Sequence, residues 1–300
     1  MLYYFETMEL TNVYFRKPSI FIGILAGLCL GIWSYFDFSE NILLVLAFHG
    51  VSEDTRVPWE ISFPKLKGYI EKLFFFGYRE ISPEGLENWL EGNHHHGKFF
   101  YVTFDDGLLT SMEAMKKLKT QFQIKPAIFI VTDFLGRPGY LSEEDTAELA
   151  SSGFLIGLHG KTHETTLKKN QEQLCSDLKN AIARLEKIES SKIRWYAYPF
   201  GEFDQNSIKA VEESGLKYAF TIEGHEVKQE DSRLLVPRLM YLSGAELYQE
   251  PVLEDWLPPR SFRKGCLKVI LSVLFFLFAI IQSFMRGSPN KKHGLYISSQ

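Results

Sequence analysis

Two groups of residues in this sequence have the types and spacing to do chemistry. One is Asp105-Asp106-Gly107, which directly follows the β-prone run Tyr101-Val102-Thr103-Phe104. Adjacent carboxylates at the mouth of a strand repel each other and lose hydration, which is costly unless a cation or a proton settles the pair. Taken alone, the stretch reads equally well as a solvated Asp-Gly turn. The other group is His159 and His163, in Leu158-His159-Gly160-Lys161-Thr162-His163, again after an apolar run. If the chain turns helically there, the i, i+4 spacing puts both imidazoles on one side. Two histidines and a strand-end aspartate make an N2O ligand set with a position left for water, the pattern of a catalytic zinc or a similar divalent ion. The second aspartate is then free to act as a base on that water.

These groups need elements to hold them. Apolar runs with strand character at 43–48, 78–81, 101–104, 126–131, 154–158, 193–198, 218–221 and 234–239 alternate with helical segments such as 63–75, 111–121, 171–188 and 205–214. Ser82-Pro83-Glu84 and Ser142-Glu143-Glu144-Asp145 read as helix starts. Alternation across residues 41–245 predicts an α/β barrel or sheet with parallel strands. Chemistry in such folds sits at the C-terminal ends of the strands. His49, Asp105, Asp106, His159 and Tyr198-Pro199-Phe200-Gly201 all fall at such ends. The run His94-His95-His96 is assigned to a polar loop, because three consecutive histidines cannot all face one metal.

Composition narrows the function classes. The net charge of −4 over 300 residues gives no basic surplus of the kind that tracks nucleic acid. Cys29, Cys175 and Cys266 form no CxxC, so neither a disulfide framework nor a cysteine metal knuckle is expected. Ile20–Tyr35 is apolar, uncharged and close to the length that spans a bilayer. Arg16 and Lys17 precede it and Asp37 and Glu40 follow, which predicts an N-terminus kept in the cytoplasm and a chain that exits outward. A cleavable signal peptide is the rival reading, disfavoured because no small-x-small site follows the run. A second apolar stretch, Cys266–Met285, has cations on both flanks and so no charge-given orientation. It reads as a second span or as an in-plane helix. The expected organisation is a tail and anchor at 1–37, a catalytic domain at 38–249, a linker at 250–265, a second membrane helix at 266–286 and a basic tail at 287–300.

Taken in order, Thr103-Phe104-Asp105-Asp106-Gly107, His159-x3-His163 and Tyr198-Pro199-Phe200-Gly201 resemble the first three motifs of the polysaccharide deacetylases, the NodB-homology family. The Phe48-His49-Gly50-Val51 opening is similar to one branch of it. The resemblance implies a distorted (β/α) barrel with fewer than eight strands, here with apolar helical segments at both termini. It implies Asp105 as catalytic base, Asp106, His159 and His163 as ligands of a divalent metal with zinc the expected ion, and the Phe200 N–H as support for an oxyanion. The implied substrate is an acetylated cell-surface glycan, processed by a membrane-anchored enzyme whose catalytic domain lies outside the cytoplasm. A catalytically silent carbohydrate binder and a metal amidase acting on a lipid-linked sugar or small molecule are the alternatives.

The chain also departs from the family's pattern. Ala197 stands where the third motif often carries an arginine, and Arg238 in Val236-Pro237-Arg238 is the expected replacement for that charge beside Asp105. The late Leu-x-His motif that supplies a general acid is missing. His49 is the preferred substitute, and His225 in Glu223-Gly224-His225 the second choice.

Overall fold

The computed structural model describes residues 41–242 apart from 54–56, 94–95 and 229. Both apolar terminal segments, the linker, the basic tail and His94 and His95 lie outside the described residues. Among the described residues, no helix is long and apolar enough to cross a membrane.

The strands are parallel and curl into a partial barrel wrapped by helices. In chain order the elements are β1 (Asn41–Phe48), α1 (Phe63–Phe75), β2 (Tyr78–Glu80), α2 (Pro83–Leu90), β3 (Gly97–Phe104), α3 (Leu109–Phe122) and β4 (Ala127–Ile130). Then come α4 (Glu143–Ser151), β5 (Leu155–Leu158), α5 (Gln171–Glu189), β6 (Trp195–Ala197), α6 (Gln205–Glu213), β7 (Tyr218–Phe220) and β8 (Leu239–Met240). The sheet order is β7-β6-β5-β4-β3-β1-β8, with β2 paired to β3 off that path. The expectation of fewer than eight strands is therefore corrected: seven follow the curl, and the short β2 fills the lower part of the β3 edge, below β4.

β1 and β3 form the spine, paired in register from Asn41↔Gly97 to Phe48↔Phe104. Both are buried along nearly their whole length, so they read as continuous apolar runs rather than alternations. Alternate side chains nevertheless point into the barrel: Leu43 and Val45, Phe99 and Tyr101, Ala127 and Phe129, Trp195 and Ala197, Tyr218 and Phe220 form one core. Tyr101 meets Trp195 edge-on at 5.6 Å, and Phe129 meets Phe220 at 5.4 Å. Gly157 on β5 is required by this crowding, because a Cβ there would lie 2.4 Å from the Phe129 ring.

α2 closes the N-terminal end of the barrel. Ser82 caps it and Pro83 starts it, as the sequence predicts. Its Leu86 and Trp89 enter the barrel core. On its other side Glu87 accepts from Trp195 Nε1 at 2.8 Å and pairs with Arg194 at 2.9 Å, while Glu91 accepts from the Tyr218 hydroxyl at 2.7 Å.

The expected strand at 234–239 is corrected. Only Leu239–Met240 pairs as a strand, with β1, while Val236 alone bridges to Phe220 of β7. Pro237 lies between them and has no N–H to donate. The segment therefore acts as a staple: Val236 N–H donates to Ala219 O at 2.8 Å on one side and Tyr241 N–H to Ala47 O at 2.9 Å on the other. It closes the gap between the first and last strands, and its central residue is Arg238.

Candidate metal centre and active site

β3 delivers both aspartates to the C-terminal end of the barrel, where they part. Asp105 continues the inward series of Tyr101 and Thr103 and is 2% exposed. Arg238, fully buried, clamps it with both arms: Nη1 donates to Oδ1 at 2.7 Å and Nη2 to Oδ2 at 2.8 Å. Nη1 also reaches Thr103 Oγ1 at 3.1 Å, and Nε donates to the Thr221 carbonyl at 3.0 Å. Below, the guanidinium lies 5.3 Å from the Phe129 ring centroid. Burial pushes the Asp105 carboxyl up, but the Arg238 charge overrides burial and holds it well below the usual carboxylate range. The expectation that Arg238 sits beside Asp105 is met, and the cation settling this half of the acidic pair is an arginine rather than a metal.

Asp106 adopts φ 71°, a left-handed conformation that aspartate tolerates better than most residues. The turn swings its carboxylate away from Asp105 toward the histidines. Oδ1 lies 3.5 Å from His159 Nε2 and 3.2 Å from His163 Nε2. The ligand atoms of these three residues lie within 4.8 Å of one another, and they are the one such group among the described residues.

The expected helical turn between the histidines is absent. Residues 161–163 form a bend, with Gly160 at φ 83° and His163 at φ 59°. Two left-handed residues, not an α-helical i, i+4 register, turn His163 back onto His159, their rings 5.1 Å apart. The His163 ring is flanked by Phe200 at 4.7 Å and Phe134 at 6.2 Å.

The chemistry of this set calls for a cation. His159 Nδ1 is 2.8 Å from the Ala197 carbonyl. A carbonyl only accepts, so Nδ1 carries the proton, and in the neutral ring Nε2 presents a lone pair. The His163 pKa is lowered by burial and then by His159, which favours its neutral ring. Asp106 Oδ1 is buried and has no hydrogen-bond partner among the described residues, although two ring nitrogens approach it. Lone pairs converge with nothing between them, and a divalent ion fits such a donor set.

Family comparison points the same way. The polysaccharide deacetylase family model matches residues 92–219, a stretch that contains Asp105, Asp106, both histidines and Phe200. Those residues belong to the polysaccharide deacetylase family. The poly-beta-1,6-N-acetyl-D-glucosamine N-deacetylase of Staphylococcus epidermidis is 25% identical to this chain over 179 residues, 53% of this chain and 61% of its own length. YxkH of Bacillus subtilis is 22% identical over 205 residues, 67% of this chain and 72% of its own. The chain thus spans about three fifths of the Staphylococcus relative. Solved structures share the fold. IcaB from Ammonifex degensii superposes with a TM-score of 0.61 at 24% identity, over 69% of this chain and 94% of its own. The Streptococcus pyogenes deacetylase PplD gives 0.63 at 16%, over 73% and 99%.

Within the deacetylase domain the remaining expected residues fall as follows. Phe200 holds φ 61° beside Gly201 at φ 67°, and it is 55% exposed. His49 ends β1 with a buried Nδ1 that lacks a partner among the described residues. Burial lowers its pKa, opposed by the charges of Asp105 and Asp106. His225 is turned onto its own loop, donating from Nδ1 to the Glu226 carbonyl at 2.8 Å.

Three contributors are missed by sequence reasoning. The carbonyl of Ala197 fixes the His159 tautomer, a backbone role that no side-chain pattern signals. Thr103 passes the Arg238 clamp on to the Leu46 carbonyl at 2.8 Å. Tyr140 is held over the site because its segment bridges Leu108, just past the Asp-Asp-Gly turn, and its ring packs on Phe134 at 4.8 Å. Its hydroxyl pKa is raised by burial and then by the Asp106 charge.

Proposed function

We propose that this chain is a metal-dependent deacetylase that removes acetyl groups from an N-acetylated cell-surface glycan. The observation that carries the reading is the division of labour between neighbouring carboxylates: Asp105 is neutralised by Arg238, while Asp106 and two imidazole lone pairs converge unpaired. A binding module has no use for that pairing. The activity named for the Staphylococcus epidermidis relative supports an N-acetylated glucosamine polymer as the substrate class.

Asp106, His159 and His163 would hold the ion. When bound, a divalent ion supplies a Lewis acid that polarises the acetyl carbonyl and makes water a stronger acid. The protein's residues do the rest. The Phe200 N–H donates to the oxygen that gains charge as the carbonyl becomes tetrahedral, an interaction of about 3 kcal/mol for one such donor. Asp105, kept ionised by Arg238, accepts the proton of the attacking water. Both its oxygens are already bound, but each retains a second lone pair. Departure of the amine requires a proton, and His49, following β1 at the strand ends, is the residue proposed to give it.

Acetate release by the full chain, stripped of metal and then reloaded with zinc, tests the function. The substrates are poly-β-1,6-N-acetylglucosamine, chitooligomers, peptidoglycan and acetylated xylan. Metal-restored release from a glucosamine polymer is the expected result; no release from any of the four under either condition overturns it. The sequence reading of an anchored domain outside the cytoplasm accompanies this proposal. A reporter fused after Gly107 that is active only in the cytoplasm would reverse that orientation.

A further inference from the structure

Trp59, Phe74, Phe75, Leu109, Leu167 and Phe200 are the large apolar side chains exposed among the described residues. Leu109 and Phe200 are at the site end of the barrel, where a substrate would cover them. Phe74 and Phe75 are at the opposite end and serve no site: they are 39% and 66% exposed at the C-terminus of α1. Phe75 meets Phe76 edge-on at 5.2 Å, and Phe74 stacks with Phe122 from the end of α3 at 6.0 Å. Four phenylalanines thus form one knob. Cationic side chains of α1, β2 and β3 lie over rings of the same elements: Lys72 over Tyr69 at 4.9 Å, Arg79 over Phe99 at 5.0 Å and Lys98 over Tyr78 at 5.9 Å. Exposed rings on elements that also carry lysine and arginine match the boundary between lipid headgroups and acyl chains.

The topology puts this knob where the N-terminal chain joins the domain. β1 begins at Asn41, level with Gly97 of β3, and Lys98 is level with Tyr78, which follows Phe76 by two positions. Crossing from β1 over β3 to β2 covers about 10 Å. The apolar run in the sequence ends at Tyr35, and residues 36–40 can extend to at most about 20 Å. A bilayer holding that run therefore lies within reach of Phe75.

We infer that the end of the barrel bearing Phe74, Phe75, Phe76 and Phe122 rests on the lipid bilayer, with the site end directed away from it. The inference rests on the anchored deacetylase reading and sharpens its substrate. β3 separates Asn41's level from Asp105 by about 26 Å of strand. The site then meets a polymer standing out from the surface and is held away from a sugar attached directly to a lipid headgroup.

The test uses the full chain with Cys29 and Cys266 changed to Ser, reconstituted in vesicles of phosphatidylcholine and phosphatidylglycerol. Nitroxide labels are placed one at a time by Phe75→Cys and Leu167→Cys, the latter 51% exposed in the turn that follows His163. Collisions with dissolved oxygen and with a water-soluble nickel chelate report depth. The label at 75 is expected to lose most of its nickel collisions on reconstitution, while the label at 167 keeps them. A vesicle-bound protein whose label at 75 keeps its nickel collisions overturns the docking face and leaves the anchor reading standing. A protein that fails to float with the vesicles overturns both. A short distance between two labels at 75 with no oxygen preference assigns the knob to a second copy of the chain and also overturns the inference.

Discussion

The two ends of the barrel both carry carboxylates, and they treat them in opposite ways. At the N-terminal end Glu87 and Glu91 each receive strong donors from the first residues of β6 and β7, and the result is a helix tied across the opening. At the C-terminal end one carboxylate is equally well tied, Asp105 by Arg238, but its neighbour Asp106 has an oxygen that no donor satisfies. Buried polar groups are normally partnered, so an orphaned one beside two imidazole lone pairs marks where a ligand belongs. Acidic side chains hold the fold at one end and leave a place for chemistry at the other.

Substitutions that exchange these roles break the comparison most sharply. Asp106→Ala should abolish acetate release and metal uptake together, while Asp106→Asn, which tolerates the left-handed turn, should leave thermal unfolding of the metal-free protein near the parent's temperature. Metal content and calorimetry on one preparation decide this. A large loss of stability without metal would make Asp106 another structural acid. Asp105→Asn should keep metal and lose about 10²–10⁴-fold in rate, the cost of losing a general base. Near-parental turnover would reassign Asp105 to the frame.

At intermediate size, Arg238→Met should destabilise the domain by about 3–5 kcal/mol, since it leaves a buried carboxylate unpaired. The double variant Arg238→Met with Asp105→Asn should recover part of that loss, which a denaturant series would show. Glu87→Gln at the other end should cost roughly 1–3 kcal/mol, with turnover per folded molecule unchanged. A fall in its turnover would mean that the two ends are coupled.

Much of this division is legible in the sequence, but unevenly. The strand ends and their reactive residues are visible because parallel strands leave long apolar runs that stop abruptly at polar residues. Arg238 is foreseeable because Ala197 leaves a buried acid in need of a cation. The way the histidines meet is hidden: the i, i+4 spacing suggests a helical turn, whereas left-handed conformations at Gly160 and His163 do the work. Nor does the apolar run 234–239 betray that Pro237 breaks it into two bridges. The α2 plug is readable as a helix but not as a lid, because its carboxylates find their partners across more than a hundred residues of sequence. Contacts of that range depend on how the sheet curls.

The smallest expected effect is also the most specific to the Asp105–Arg238 pair. Arg238→Lys keeps one positive charge but loses the two-armed fork, so Asp105 should be held down less strongly and its folded-state pKa should rise toward the ordinary value. A carboxyl whose pKa is depressed on folding contributes stability that is fully present above its unfolded value of about 3.9 and is lost as pH falls through the folded one. Arg238 places Asp105 in that class, with a folded value below the usual range. The parent therefore has more of this stability to lose than the lysine variant. Its advantage should be constant above about pH 5 and narrow steadily on acidification. Each unit by which the two folded values differ corresponds to about 1.4 kcal/mol at neutral pH. Activity should move in the same sense. Asp105 in the parent stays ionised throughout the ordinary assay range, so any acidic limb there belongs to another group, and a limb that moves upward in Arg238→Lys is the protonation of Asp105 brought into view. Urea titrations from pH 7 to pH 3 and acetate release across the same range measure both. A stability gap that does not change with pH would show that the lysine costs the protein packing over Phe129 rather than charge, and that Arg238 serves the barrel more than the base.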